Sequence, residues 1–473
     1  MKPGFGFLWQ LGVPVVSRGI NFLMLPFTLL LFDHRSFVSL SYAAMLVAGI
    51  SIFASLGNAP RILEMSNKNS LSKAALVSMA TQLIAFWLVI LFLLTTTSLD
   101  WLTGFTKMNQ SLLILTFIEG IVMGLTNDIP LQVLRGKQKY TICNHFSLML
   151  IILLGPLRIL LVWVLGPTID LWISIAIFFR IVIFLFAFYK VYEVFVLEER
   201  TTSRDAKKIE QSLKPTIFGN RNLLIILTLN MWVIGSVDRF MIPTLLSPTT
   251  GAGYQVAYQC ASTIGLVCYQ LMYLQTHKLL NPDKNISIPA LSRLISTFGF
   301  VLIFSLPIMP ILFKLFFSDF SSEYLLFLIG ISFSQFLWAV VQVQLLLSTS
   351  KFGQIRFPLM VTLGAIFSQL VLVKLILMSD LALLLPLTVI LGSAFCCLFF
   401  NNLSGEFAVV TKVIASRRLT IQFLVFLVLL SFSLTIGRNS FMMVEIILSI
   451  FCYSYLFSKR KRIIEDWDFN VRN

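Results

Sequence analysis

Apolar runs of roughly 20 residues, enough for a helix to cross the hydrocarbon core, recur along this chain with short polar gaps between them. They predict helical spans near 5–31, 37–59, 75–97, 110–133, 142–165, 169–192, 222–246, 254–277, 290–317, 324–347, 357–377, 382–402, 419–436 and 441–457, fourteen in all. A β-barrel would instead show shorter segments of alternating polarity, and none is visible. The first run follows a single lysine and lacks a small-residue cleavage site after a short core, so it reads as a retained helix. Composition agrees, since 58% of the 473 residues are hydrophobic and 12% charged, outside the range of a soluble domain. The expected class is an all-α polytopic membrane protein.

The net charge of +15 raises the question of nucleic acid, and its distribution answers it. Of the 36 lysines and arginines, 27 fall in one alternate set of gaps, the termini included and Lys190 counted at the end of its span. Five (Arg35, Lys107, Lys314, Lys374 and Arg438) fall in the other or at the span ends beside it, and four lie deep inside spans. The positive-inside rule then places both termini in the cytoplasm, and the basic balance is a topology signal. The gaps on the other side, such as "DHRSF", "GPTID" and "MSDLA", leave no room for a folded catalytic domain. The longest polar stretch, "EERTTSRDAKKIEQSLKP" at 198–215, separates six spans from the next six. The expected organisation is an N-lobe (1–197), a cytoplasmic linker (198–221), a C-lobe (222–402), and two further helices with a basic tail (403–473). Aligning Pro26 with Pro243 brings Phe37 onto Tyr254, a weak internal repeat. Lobes of six spans share one orientation and are related by an axis along the membrane normal.

Polar residues inside the spans carry the candidate chemistry. Arg18, Glu119, Asp128, Arg158, Arg180, Asp238 and Arg239 all lie in apolar segments, where a charge at the centre costs roughly 2.5–3.5 kcal/mol. Such residues face a bundle interior or a water-filled path. Polar residues recur at helical spacing: Arg18 with Asn21, Gln255 with Gln259, and Gln335 with Gln342. Together they suggest the lining of a hydrated cavity able to hold a sugar, although glutamines also serve as helix–helix contacts. Guanidinium is permanently charged and matches phosphate oxygens bidentately, so the arginines suit a phosphate, a pyrophosphate or an acidic sugar. Glu119 and Asp128 are nine residues apart and so lie on opposite faces of one helix. Glu119 is expected to face inward and Asp128 to brace a gate or loop. Gly120 and Gly124 suggest a close helix contact. The six cysteines and three histidines lack metal-ligand spacing.

In "GSVDRFMIP" (235–243) Asp238 and Arg239 adjoin. Neighbours on a helix diverge by about 100°, so they cannot satisfy each other face to face. Trp232, Ser236 and Arg239 share a face, which is expected to meet the cavity. Asp238 is then expected to meet a cation on another helix, or a proton, as a possible coupling site.

Several stretches resemble the polysaccharide-exporter and O-antigen flippase branch of the multidrug/oligosaccharidyl-lipid/polysaccharide superfamily. They are "RGINFLMLPFTLLLFDHRSFVSLSYAAML", "FASLGNAPRI", "LQVLRGKQKY", "LLLSTSKFGQIRF" and, most specifically, "GSVDRFMIPTLLSPTTGAGYQVAYQ". The sequence departs from that family at 32–37, where "FDHRSF" replaces a glycine-containing turn. The resemblance implies two six-helix lobes in a V around a central cavity, with the last two helices at the side. It implies a flippase that carries an undecaprenyl-pyrophosphate-linked oligosaccharide from the cytoplasmic to the periplasmic leaflet of a bacterial inner membrane by alternating access. Proton or sodium coupling through Glu119 or Asp238 is implied, with no bound cofactor. Expected partners are the lipid-linked oligosaccharide, membrane lipids, a polysaccharide polymerase and a chain-length regulator. A lipid II flippase, with cavity arginines and fourteen helices of its own, stays open as an alternative. So does an ion-coupled drug antiporter, although its family carries an acidic residue in the first helix, where this chain has Arg18. A polymerase or ligase would need larger outer loops.

Overall fold

The computed structural model describes residues 23–55, 71–96, 108–137, 139–199, 220–279, 322–346, 356–379 and 382–401, with a few isolated positions between them. The expected spans near 290–317, 419–436 and 441–457, most of that near 5–31, and the candidates Arg18 and Asn21 lie outside the described residues. The described residues form helices and short connections, with no strand among them. In chain order the helices are α1 (Leu25–Leu31), α2 (His34–Phe53), α3 (Lys73–Thr96), α4 (Gln110–Asp128), α5 (Pro130–Gly136), α6 (Tyr140–Ile152) and α7 (Arg158–Leu165). They continue as α8 (Ile169–Glu199), α9 (Asn220–Ile234), α10 (Val237–Leu245), α11 (Pro248–Leu279), α12 (Ser322–Leu346), α13 (Arg356–Ser379) and α14 (Leu385–Asn401).

Among the described residues, 7 helical stretches are long and apolar enough to cross a membrane: His34–Phe53, Lys73–Thr96, Gln110–Gly136, Thr141–Leu165, Ile169–Val196, Leu326–Leu345 and Arg356–Ser379. An eighth, expected as one straight span over 222–246, is bent by 45° between Ile234 and Val237. The 32-residue α11 has the length but not the apolarity, because tyrosine, glutamine, serine and threonine punctuate it. The chain is a multi-pass helical membrane protein. Its large exposed side chains fit that setting: Leu88, Val89 and Phe92 on α3, Phe178 and Leu185 on α8, and Phe367 on α13 all face outward.

By Cα proximity the chain forms two compact units. One comprises residues 1–255 with 352–395, the other 256–351 with 396–473. In the first, α4 is the central strut, packed against α2 on one side and α8 on another. Its contact with α2 follows a four-residue stripe. A Cβ on Gly120 would meet Ile50 and the Val47 carbonyl, and one on Gly124 would meet Ala54 and the Ser51 backbone. One turn on, Asp128 Oδ2 accepts from Ser55 Oγ at 2.6 Å. Gly120, Gly124 and Asp128 are successive positions at i+4, so one face of α4 lies along α2. Lipid tails are as apolar as leucine, so this association rests on close backbone approach and hydrogen bonds rather than on hydrophobic burial. The expectation for the glycine pair holds.

The departure at 32–37 has a local explanation. Phe32 is extended, and Asp33 caps α2 by accepting from the Ser36 amide at 2.8 Å. That bond holds the exposed Asp33 carboxyl below the usual carboxylate range. An aspartate N-cap starts the helix where a glycine turn was otherwise expected. The span near 142–165 is also irregular. Pro156 has no N–H and clashes with the preceding turn, and Leu153–Leu157 widens into a π-turn between α6 and α7. In the second unit, Gln344 Nε2 donates to the Cys397 carbonyl at 3.3 Å, which ties α12 to the end of α14.

Candidate functional site

Three candidate charges converge within the first unit. Glu119 of α4 and Arg180 of α8 meet at 3.1 Å, Oε1 to Nε, with side-chain exposures of 9% and 15%. Arg158, the first residue after the π-turn, lays its guanidinium over the Trp172 ring at 3.9 Å from the centroid. Glu119 and Arg180 are the two charges that act on it. Its Nε is buried with no hydrogen-bond partner. Each position has a local cause. The π-turn sets the direction of Arg158, as single π-turns often do at functional sites. The glycine stripe turns one face of α4 toward α2 and leaves Glu119, about 100° away, toward α8. Trp172 is held by Phe32 edge-on at 5.5 Å. The cluster therefore holds two guanidinium groups and one carboxylate largely, though not wholly, away from water. That excess of positive charge suits an acceptor-rich anion.

The second centre is the break between α9 and α10. Gly235 and Ser236 leave the helix, and the Ile234 carbonyl loses the acceptor role an unbroken helix would give it. Gln369 of α13 supplies the missing donor, its Nε2 lying 2.9 Å from the Ile234 oxygen and 3.0 Å from that of Thr388 on α14. Asn230 Nδ2 donates to Thr362 Oγ1 at 3.0 Å and ties α9 to α13 a turn earlier. Arg239 folds back onto the break, with Nη2 at 2.8 Å from Ser236 Oγ and 3.3 Å from the Gly235 carbonyl. Trp232 and Phe240, one on each side of the bend, meet edge to face at 5.3 Å.

This bears on the first of the two expectations for Asp238, a cation on another helix or a proton. Its described partners are not a cation on another helix. Oδ2 accepts from the Tyr254 hydroxyl at 2.6 Å, and Oδ1 from the Arg239 amide at 2.8 Å. A tyrosine two turns into α11 is within reach because α10 is short and tilted. Trp232, Ser236 and Arg239 do not lie on one continuous helical face, since the break falls among them.

The remaining candidates are placed as follows. Asp128 faces α2 through Ser55, opposite Glu119, as nine-residue spacing requires. Gln255 is buried and Gln259 half-buried on α11. Gln335 is buried against Gly265, where its Oε1 occupies the space a Cβ would need, so it serves the contact of α12 with α11. Gln342 is half-buried on α12. Sequence reading passed over Trp172, Ser55 and Gln369, and took Tyr254 only as a position in the internal repeat. A lone glutamine in the apolar run "LGAIFSQLVLVK" was the available signal for Gln369, and "GPLR" was the signal for the π-turn. No group of three or more potential metal ligands occurs among the described residues.

No protein-family model matches the sequence, and no curated protein matches it. In fold, however, the chain is similar to a solved structure described as "Lipid II flippase MurJ, inward closed conformation", with a TM-score of 0.53, 14% sequence identity and 98% of each chain covered.

Proposed function

We propose that this protein is a flippase for a polyprenyl-pyrophosphate-linked oligosaccharide, an O-antigen or capsular repeat unit, which it moves from the cytoplasmic to the periplasmic leaflet of a bacterial inner membrane. The buried Arg158–Glu119–Arg180 cluster carries the reading. A lipid head group bearing two phosphates must leave water to cross, and permanently charged guanidinium groups replace part of its hydration. In this reading alternating access carries the head group across, Glu119 or Asp238 couples the motion to protons, and both termini are cytoplasmic. In this reading Arg18, Asn21 and Arg239 also line the path. The likeness to a lipid II flippase favours a second reading, in which lipid II itself is the cargo. Both share a diphosphate linked to a polyprenyl chain.

The test is flipping in proteoliposomes with fluorescent lipid-linked substrates, one carrying an O-unit and the other the lipid II saccharide. Arg158→Ala and Arg180→Ala are expected to slow flipping about tenfold or more while the protein still inserts. Arg→Lys keeps the charge, loses the fork and restores it partly. The substrate that the wild type moves faster decides between the readings. Unchanged flipping in both alanine variants would refute the role given to the cluster.

A further inference from the structure

We infer that Glu119 is the internal counter-anion of the head-group site, which the substrate's diphosphate replaces at Arg180; this rests on the proposed function. Two observations point to it. The cluster has two guanidinium groups for one carboxylate, and the second of them, Arg158, is held by an aromatic face and leaves its Nε without a partner. The one carboxylate contacts Arg180 at 3.1 Å, on the guanidinium a phosphate would use. A diphosphate entering between Arg158 and Arg180 meets Glu119 as a competitor of like charge. Binding then requires Glu119 to give up Arg180, and release is driven by its return.

Other groups do not take this part. On the helices packed against α4, His34 and Arg35 stand at the start of α2, Lys73 at the start of α3, and Asp170 at the start of α8. Lys190 and Glu193 pair with each other at 2.7 Å toward the far end of α8, and Arg135 lies in the last turn of α5. Tyr42 is buried on α2 against Phe240. Asp128 points at Ser55. Arg180 and Arg158 are left as the charges that Glu119 serves.

A competing carboxylate has a signature that a packing residue lacks. It weakens binding and speeds release, so its removal shifts affinity and turnover in opposite directions. The experiment uses the full chain in nanodiscs with farnesyl diphospho-N-acetylglucosamine as probe. Glu119→Gln is expected to bind the probe about tenfold more tightly than wild type, and to flip its long-chain counterpart more slowly at saturation. Arg158→Ala and Arg180→Ala are expected to bind about tenfold more weakly. If Glu119→Gln does not fold, Glu119→Asp serves, since it withdraws the carboxylate by one methylene and is expected to tighten binding by a smaller factor. Weaker or unchanged binding in the folded Glu119 variant overturns the inference. Absence of probe binding by the wild type overturns the proposed function itself, which separates the two failures.

Discussion

At the scale of single residues, the environment of Asp238 decides what its loss would do. It is 2% exposed, and its two oxygens are taken by a hydroxyl and a backbone amide. Tyr254→Phe removes the hydroxyl and leaves a buried carboxylate oxygen without its donor, which costs about 1–3 kcal/mol. The expected outcome is a lower unfolding temperature in detergent. The double variant with Asp238→Asn is expected to lose less than the sum of the two single variants, because one bond is being removed twice. Additive losses would mean that the pair contributes nothing jointly. Asp33 behaves differently because it is exposed. Its cap costs about 1 kcal/mol when replaced by alanine. Its folded pKa lies below the unfolded one, so that contribution is present above about pH 4 and fades as pH falls through the lower folded value.

At the scale of elements, the spans that fall within the described residues were mostly legible in the sequence, and the break after Ile234 was not. Hydropathy marks a segment as belonging in lipid, and it is blind to where a helix breaks inside that segment. The bend after Ile234 needs Gln369, more than a hundred residues away, to satisfy a carbonyl, and a lone glutamine in an apolar run marks a polar contact without saying which carbonyl it meets. Nine-residue spacing did put Glu119 and Asp128 on opposite faces, because that depends on helix geometry alone. Their partners, Arg180 and Ser55, depend on which helix lies alongside. Gln369→Leu leaves the Ile234 and Thr388 carbonyls short of a donor in an apolar setting. A loss of about 2–4 kcal/mol is expected from two such groups, read as reduced folded yield and earlier thermal aggregation. Gln369→Glu is expected to be worse, because a carboxylate would face two carbonyl oxygens. Stability equal to wild type for Gln369→Leu would show that the bend holds without it.

For the molecule as a whole, topology is the most direct check. Reporter fusions at Lys208 and Asn473 are expected to read as cytoplasmic, and those at Thr250 and Ser379 as external; an external signal at Lys208 would undo the fourteen-span arrangement. The glycine seam offers another. Gly124→Leu is expected to abolish folded protein, because its side chain would run into the backbone of Ser51 and the methyl of Ala54. That seam also acts as a splint. Two spans whose linked residues are 73 apart in sequence approach closely at Gly120 and Gly124, with only short side chains such as Ala54 and Ile50 between them. They must share every tilt and roll, like laminated strips. Compliance in this half of the molecule is then forced elsewhere, onto joints held by removable side-chain bonds. The kink after Ile234 is such a joint, and a stiff beam beside a soft elbow turns a small local push into a directed swing.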